Sequence, residues 1–351
     1  MVENAPGYTI DFHFAIQGDS MRLLRSQGLI HLSFLAFIAA AITVVMTPDL
    51  LAGISLPDPS LIQPFKTMFI GIVLEALPFI LLGVIVSAFL HLFVSEQAIR
   101  RFVPKSPLLG IPFACVLGVL FPVCECGLIP VVRRLMAKGM PLYIGVVFLA
   151  AGPIVNPVVY LATYTAFRSR PDMLYARMGL ALLIGIAIGL IVFFFVKSNP
   201  LRTEKHGPDH HHHHTGGKLT GMMEHAGSEF FEMGKYLMIG ALLTAAIQTA
   251  VPRASLAEIG QHEAFSYFFM MAFAYVLSLC STADAFVASS FAGTFTSGSL
   301  LAFLVLGPML DFKTSLMLLA VFKRRFVLQL ASALVVLVLA GCLLAERLYL
   351  L

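Results

Sequence analysis

The sequence predicts an all-α polytopic membrane protein with two inverted-topology repeats, each containing a broken or re-entrant helix hairpin, and an extra N-terminal helix. Three observations support this fold class. The chain is far more apolar than a soluble protein of its length, long apolar runs follow one another along it, and several motifs of the first half return in the same order in the second. Together they indicate a helical bundle whose solvent is lipid.

The composition identifies that solvent. Of the 351 residues, 59% are hydrophobic and 12% are charged, whereas soluble globular proteins are about 45–50% apolar and about 25% charged. The mean hydropathy is +0.90. The apolar runs are continuous rather than alternating, which indicates membrane helices and not a β-barrel. The net charge of +4 does not indicate nucleic-acid binding, because the basic residues lie in short clusters between apolar runs.

Most apolar runs are long enough for a simple span, since about 20 helical residues cross the hydrocarbon core. Two others, 107–136 and 264–295, are interrupted, the first by prolines and Gly127 and the second by the polar stretch LCSTAD (279–284). Each is predicted to form two half-helices that meet at the break. The simple spans are predicted at 29–46, 65–94, 142–167, 176–196, 230–251, 300–322 and 326–344.

The placement of basic residues favours re-entrant hairpins at both interrupted regions. With a cytoplasmic N-terminus, two hairpins place most lysines and arginines on the cytoplasmic side, whereas two full crossings nearly abolish the bias. Arg168, Arg170 and Arg177 fit the hairpin arrangement poorly.

Repeated motifs divide the chain into halves. Glu75 precedes Gly83 at the same spacing at which Glu232 precedes Gly240, and Cys124 precedes GPIVN (152–156) much as Cys280 precedes GPMLD (307–311). With three crossings and one hairpin in each half, the second copy is inverted relative to the first, as in many secondary transporters. The predicted domains are an N-terminal segment with the first helix at 1–60, a first repeat at 61–197, a cytoplasmic linker at 198–228 and a second repeat at 229–351.

The linker contains five consecutive histidines. Such a run could capture a divalent metal, but a solvated low-complexity loop is the plainer interpretation, and a cloning tag is a further alternative. The histidines are His210, His211, His212, His213 and His214.

The two breaks hold the candidate substrate- or ion-binding residues. Broken helices at membrane depth are tolerated where protein or water satisfies the freed backbone groups, and their ends carry partial charge that suits polar ligands. Glu125 and Asp284 are expected to face the bundle interior, either as proton or ion sites or as structural carboxylates bonded at a kink. Ser281 or Thr282 could cap the following half-helix. The break residues are Cys124, Glu125, Cys126, Cys280, Ser281, Thr282 and Asp284.

A second set of polar residues lies beside prolines within other spans. Glu75 precedes Pro78, and Asn156 and Asp311 occupy equivalent positions in the two halves. These residues are predicted to line the same cavity, although Asn156 could instead only mend the backbone at Pro157. Lys313 is predicted to pair with Asp311 or to snorkel from its helix end.

The cysteines divide into two groups. Cys115 and Cys342 are predicted to be small apolar fillers. Cys124, Cys126 and Cys280 lie at the breaks, where thiolates could bind soft species such as Cu(I), Zn(II) or trivalent arsenic, or where small side chains simply pack. All five lie in apolar surroundings, so a secreted disulfide framework is not expected.

Four stretches carry a family resemblance: FPVCECGLIPVVRRLMAKGMP, FLAAGPIVNPVVY, LSLCSTADAFVASSF and FLVLGPMLDFKT. Over about 65–322 the chain resembles the predicted permease family typified by YraQ, which includes the organoarsenical efflux permease ArsP. The resemblance implies a bacterial inner-membrane permease, with export of trivalent organoarsenicals in one branch. Its motif positions fall on Cys124, Glu125, Cys126, Gly127, Pro130, Asn156, Pro157, Cys280, Ser281, Asp284, Pro308 and Asp311.

The function predicted is therefore secondary transport, in the efflux direction and coupled to protons, of a small and thiophilic solute. No phosphate-binding loop of the Gly-x4-Gly-Lys-Ser/Thr type occurs, so an ion gradient or a separate ATPase would supply the energy. The alternatives are a channel or uniporter for a small anion or solute, and a membrane thiol oxidoreductase using Cys124 and Cys126. Neither catalysis nor a cofactor is expected; the expected partners are substrate, lipid and further copies of the chain.

Overall fold

The computed structural model describes residues 59–104, 106–121, 123–196, 200–202, 218–250 and 263–348. Within these ranges the secondary structure is helical, apart from an isolated bridge between Leu201 and Phe322. The N-terminal helix predicted at 29–46 and the histidines at 210–214 lie outside the described residues.

The first half begins with a long helix, continues with shorter helices separated by breaks, and ends with another long helix. These helices are α1 (Pro59–Phe93), α2 (Glu96–Phe102), α3 (Pro107–Leu120), α4 (Glu125–Ala137), α5 (Leu142–Ala151), α6 (Pro157–Ala166) and α7 (Pro171–Phe195).

The second half repeats this order, without a counterpart of α2 among the described residues. Its helices are α8 (Lys218–Ala250), α9 (Glu263–Leu277), α10 (Ala283–Ser290), α11 (Ser297–Met309), α12 (Phe312–Val321) and α13 (Arg324–Leu348). Helix α8 begins inside the segment 198–228 that the sequence assigns to a linker.

Five stretches among the described residues are long and apolar enough to cross a membrane, and α2 with α3 could form a sixth, bent span. Leucine and phenylalanine side chains stay exposed along α1, α7 and α13. In a helical protein of this composition such side chains face lipid. The five stretches are Ile62–Leu90, Pro171–Phe195, Ala226–Thr249, Ser297–Val321 and Arg324–Leu348.

The interruptions predicted in 107–136 and 264–295 are present. Helices α3 and α4 are separated at 121–124, and α9 and α10 at 278–282. In the second break Ser278 has a φ of 48°, a left-handed conformation that costs a non-glycine residue free energy and interrupts the helical hydrogen-bond ladder.

Two regions predicted as simple spans are also interrupted in the structure, although Ser297–Val321 remains one candidate span. The region 142–167 divides into α5 and α6, and 300–322 divides into α11 and α12. The side chain of Asn156 caps α6 and that of Asp311 caps α12, each by accepting a hydrogen bond from a backbone amide of the new first turn. Pro157 favours the restart of α6, because the first helical position needs no amide hydrogen.

The centre of the bundle is formed by α5 and α11. Helix α5 is buried from Tyr143 to Ala151 and α11 from Gly298 to Met309. An α-helix that is apolar all round belongs in the interior. Helix α5 packs against α3 and α7, α11 packs in the same way against α9 and α13, and the two central helices contact each other.

Short helices of the first half contact short helices of the second half. Helix α4 packs against α12, and its counterpart α10 packs against α6. The helices that restart after each break are therefore brought together across the boundary between the halves.

Helices α1 and α4 approach each other at Gly83 and Gly127. A Cβ atom placed on Gly83 would lie 2.2 Å from the carbonyl oxygen of Gly127, which is well inside van der Waals contact. Small residues allow such backbone contact between membrane helices, so the first break is held directly against the first long helix.

The first residues of the interhalf connection are attached to the end of α12. The amide of Arg202 donates to the carbonyl of Val321 at 2.9 Å, and the amide of Lys323 donates to that of Pro200 at 2.9 Å. The guanidinium of Arg202 also donates to the carbonyl of Leu319 at 2.8 Å. This strap (200–202) joins the end of the first half to the second.

Candidate functional site

Glu125 opens α4 immediately after the first break. Cys124 is the N-cap residue, yet its side chain makes no capping hydrogen bond, and its carbonyl accepts the amides of Gly127 and Leu128. Glu125 is only 2% exposed. An ionised carboxylate in a helix first turn is favoured by the helix dipole, but at this depth it also needs a partner.

That partner is Lys313 of the second half. Its Nζ atom lies 3.5 Å from Oε1 of Glu125 and 3.8 Å from Oδ2 of Asp311. It also lies 3.5 Å from the carbonyl oxygen of Ser278. Lys313 is 4% exposed, so a single buried ammonium joins groups from the first break, the second break and the cap of α12. The pairing of Lys313 with Asp311 agrees with the prediction.

A small cavity lies beside Glu125, with room for about one water molecule. Its polar lining residues are Glu125 and Thr314, and its other walls are apolar side chains of α5, α11, α12 and α13. Oε2 of Glu125 and Oγ1 of Thr314 are both buried and have no hydrogen-bond partner.

A second buried ion pair fixes the second break. The Nη2 atom of Arg177 lies 2.9 and 2.8 Å from the two carboxylate oxygens of Asp284 and 3.0 Å from the carbonyl of Ser281. Its Nη1 donates to the hydroxyl of Thr163 at 2.8 Å. Arg177 is 0% exposed and Asp284 2%, so the charge on α10 is balanced by α7 of the other half.

The sequence analysis gave Arg177 no role at the site and noted only that it fits the charge bias poorly. The available signal was its position inside an apolar span together with its poor fit to the charge bias, because arginine within a span normally faces a partner. Local sequence pattern could not predict that its partner is Asp284, because the two residues lie far apart in the chain.

The three break cysteines are buried free thiols. The Cys126 thiol lies 3.9 Å from Oε1 of Glu125, and the hydroxyl of Thr282 lies 3.6 Å from the Cys280 sulfur. Among the described residues, no group of three or more His, Cys, Asp or Glu side chains is arranged to hold a metal ion.

The remaining predicted residues are placed as follows. Thr282 occupies the N-cap position of α10 but makes no side-chain cap, so the predicted capping by Thr282 was wrong; its hydroxyl turns towards Cys280. Asn156 accepts the amide of Val158 at 2.8 Å, as a structural amide would. Glu75 is half-buried on α1 and interacts electrostatically with Cys280.

A third polar cluster lies where α1, α4 and α8 meet. Arg133 pairs with Glu232 at 2.9 Å, and Arg134 lies 3.6 Å from Glu229, whose carboxylate accepts the hydroxyl of Ser87 at 2.8 Å. The sequence analysis placed both arginines on the cytoplasmic side, within the interrupted region 107–136. They instead attach the end of α4 to α8.

A helical bundle with lipid-facing apolar surfaces and buried charges at paired helix breaks defines a membrane transport protein. Comparison with known proteins agrees: residues 61–346 match the ArsP-type family described as predicted permease, and the chain belongs to this family. The chain is an integral membrane protein of the bacterial inner membrane.

Two similar proteins align with most of the chain. YcgR of Bacillus subtilis is 51% identical over 284 residues, which is 80% of this chain and 96% of the relative. A Streptococcus mutans protein named as a subunit of a two-component membrane permease complex is 35% identical over 288 residues, which is 81% of this chain and 96% of the relative. No solved structure gives a significant match.

Proposed function

We propose that the chain is a secondary transporter that exports a small solute and is driven by protons. The observation that carries this proposal is the pair of buried ion pairs between the halves, Glu125 with Lys313 and Asp284 with Arg177. Buried charges are costly in a membrane protein and mark ion and substrate pathways. Each pair also joins a helix break of one half to the other half, where alternating access requires coupling.

The two halves are proposed to be inverted repeats with re-entrant hairpins at α3–α4 and α9–α10. The equivalent packing of α3, α5 and α7 and of α9, α11 and α13 supports a two-fold relation. Helices α3 and α4 have 14 and 13 residues, and at 1.5 Å per residue neither reaches across a core of about 30 Å. Short half-helices that enter and return on one side fit this arrangement.

The substrate is proposed to be a thiophilic species, with a trivalent organoarsenical as the first compound to test. Cys124, Cys126 and Cys280 are free thiols at the two breaks, and trivalent arsenic prefers thiolate ligands. The organoarsenical exporter of the resembled family suggests the same chemistry.

The relative that is named as a complex subunit suggests that this chain also acts with another subunit. For this reason the transport assay has two arms, proteoliposomes containing the purified chain alone and native vesicles from cells that express it.

Transport is tested with a trivalent methylarsenical. In both arms we expect uptake into inverted vesicles to rise when an inward-acidic gradient is imposed, and Glu125→Gln to lose at least about tenfold of that stimulation because its carboxamide cannot take up the proton. The matched control is Glu96→Gln, since Glu96 is an exposed carboxylate. Uptake that ignores the gradient in wild type and Glu125→Gln alike would reject proton coupling.

The thiol role is tested separately by replacing Cys124, Cys126 and Cys280 with serine. We expect the triple variant to lose resistance to the arsenical in an efflux-deficient strain, while Cys115→Ser and Cys342→Ser keep it, because the last two thiols lie away from the breaks. Unchanged resistance in the triple variant would exclude thiol ligation.

A further inference from the structure

The two oxygens of Glu125 have different surroundings. Oε1 faces the ammonium of Lys313 at 3.5 Å and the thiol of Cys126 at 3.9 Å. Oε2 is buried, has no hydrogen-bond partner, and belongs to a residue that lines the small cavity. Oε1 of the carboxylate therefore has fixed protein partners, whereas Oε2 has none.

Thr314 lines the same cavity and also has an unsatisfied group. The residue is 4% exposed, and its hydroxyl has no partner within hydrogen-bond distance, although it lies near enough to the Asp311 carboxylate to interact with it. Buried polar groups are almost always paired with protein or with ordered water. A water molecule in a polar pocket typically makes about three hydrogen bonds, and this cavity has room for about one such molecule.

We infer that this cavity holds a single exchangeable water molecule, bridged between Oε2 of Glu125 and Oγ1 of Thr314, through which the transported proton reaches Glu125. This inference rests on the proposed function and adds to it the route of the proton and a positioning residue, Thr314. In the loading step a hydronium ion in the cavity gives one proton to Oε2. An O–H bond of the hydronium breaks, an O–H bond to Oε2 forms, and neutral water remains.

The charges around Glu125 show why such a step is reversible. Asp311 and Glu125 are two carboxylates that share the one ammonium of Lys313, so the ionised trio has an excess negative charge. Proton uptake at Oε2 removes that excess and leaves Lys313 with Asp311. The other titratable groups that interact with Glu125 are Cys126, Cys280 and Asp284, and Cys124 interacts with Cys126.

The remaining cavity walls carry no titratable side chain. Val146, Leu149 and Ala150 come from α5, Met309 from α11, and leucines from α12 and α13. These apolar walls cannot relay a proton, so the proton arrives with the exchanging water, which the Thr314 hydroxyl positions beside Oε2 of Glu125.

The experiment follows protonation of Glu125 directly by time-resolved infrared spectroscopy of the purified full chain in lipid, after a jump to acidic pH and without substrate. The band of interest is the protonated-carboxyl band that Glu125→Gln removes. We expect it to appear about tenfold or more slowly in Thr314→Val, which deletes the hydroxyl at nearly constant volume, and at the wild-type rate in Thr314→Ser.

A second variant removes the water without touching a polar group. Ala150→Leu fills the cavity from α5, and we expect the same slowing as in Thr314→Val. A Glu125 band that appears at the wild-type rate in either folded variant, or that is missing from the wild-type protein, would overturn the inference. Thermal unfolding of each variant in the same lipid identifies misfolded protein, and Thr314→Val and Ala150→Leu are each sufficient to decide.

Failure of the proposed function has a different signature. If proton-stimulated arsenical uptake is absent but the Glu125 band depends on Thr314 and Ala150 as expected, the cavity is a proton site of a different transporter. If uptake is proton-stimulated and the band ignores both positions, the proposed function survives and the water route is rejected.

Discussion

At the scale of individual residues, the buried ion pair between Arg177 and Asp284 affects the stability of the protein. A buried ion pair seldom adds much net stability, because desolvation opposes the attraction, but removing one partner leaves an uncompensated buried charge. Arg177 meets both oxygens of Asp284 and the hydroxyl of Thr163. The pair therefore fixes the second break. Burying both charges costs free energy, and removing only one of them costs more, because the other charge is left without a partner.

We predict that Arg177→Met lowers the free energy of unfolding by about 3–5 kcal/mol, because Asp284 then stays buried without its partner. Adding Asp284→Leu should recover most of this loss. The control is Arg100→Met, since Arg100 forms an exposed pair with Glu96 at 3.9 Å and such pairs contribute about 0–1 kcal/mol. Unfolding in detergent, followed by helical circular dichroism, measures all three. Equal effects of Arg177→Met and Arg100→Met on the free energy of unfolding would contradict this role of the Arg177–Asp284 pair.

At the scale of elements, the contact between α1 and α4 depends on two glycines. A methyl group on Gly83 has no room against the backbone of Gly127, whereas on Gly71, in the same helix, it meets nothing within 4 Å. The helices can accommodate a larger residue at Gly83 only by moving apart, which would shift Glu125 relative to Lys313.

We therefore predict that Gly83→Ala destabilises the protein by about 1–3 kcal/mol, the usual cost of overpacking. Gly71→Ala should leave stability unchanged or raise it by about 0.5–1 kcal/mol, because alanine is the better helix former. Thermal unfolding in detergent compares the two variants. A Gly83→Ala protein as stable as Gly71→Ala would show that the helices do not touch here.

The sequence and the structure agree best where the chain itself punctuates the helix. The interruptions predicted from local pattern fall at 121–124 and at 278–282, around Cys280, but Gly127, which was also predicted to interrupt the first region, lies inside α4. The sequence analysis recognised Asn156 and Asp311 as polar residues beside prolines. It did not predict that each caps a new helix inside an apolar run. The partners of Glu125 and Asp284 could not be predicted at all, because each ion pair joins residues that only the packing of α12 against α4 and of α7 beside α10 brings together.

At the scale of the whole molecule, the proposed inversion makes opposite sides of the membrane distinguishable. The chain turns after α4 and after α10 at equivalent places in the two halves. Ala137, the last residue of α4, and Thr294, in the turn after α10, are both exposed. We predict that Ala137→Cys is labelled by a membrane-impermeant maleimide in inside-out vesicles and Thr294→Cys in right-side-out vesicles, because inversion places these turns at opposite surfaces. Wild-type protein supplies the background of the native thiols. Labelling of both positions in the same vesicles would mean parallel halves.

The strap at 200–202 has a mechanical consequence for such a molecule. The chain leaves α7 and is immediately hydrogen-bonded to the end of α12 through Pro200, Arg202, Val321 and Lys323, so the two halves share a fastening at one end of the bundle. If the two halves rotate relative to each other during the transport cycle, their relative displacement must be smallest at these hydrogen bonds and must grow with distance from them.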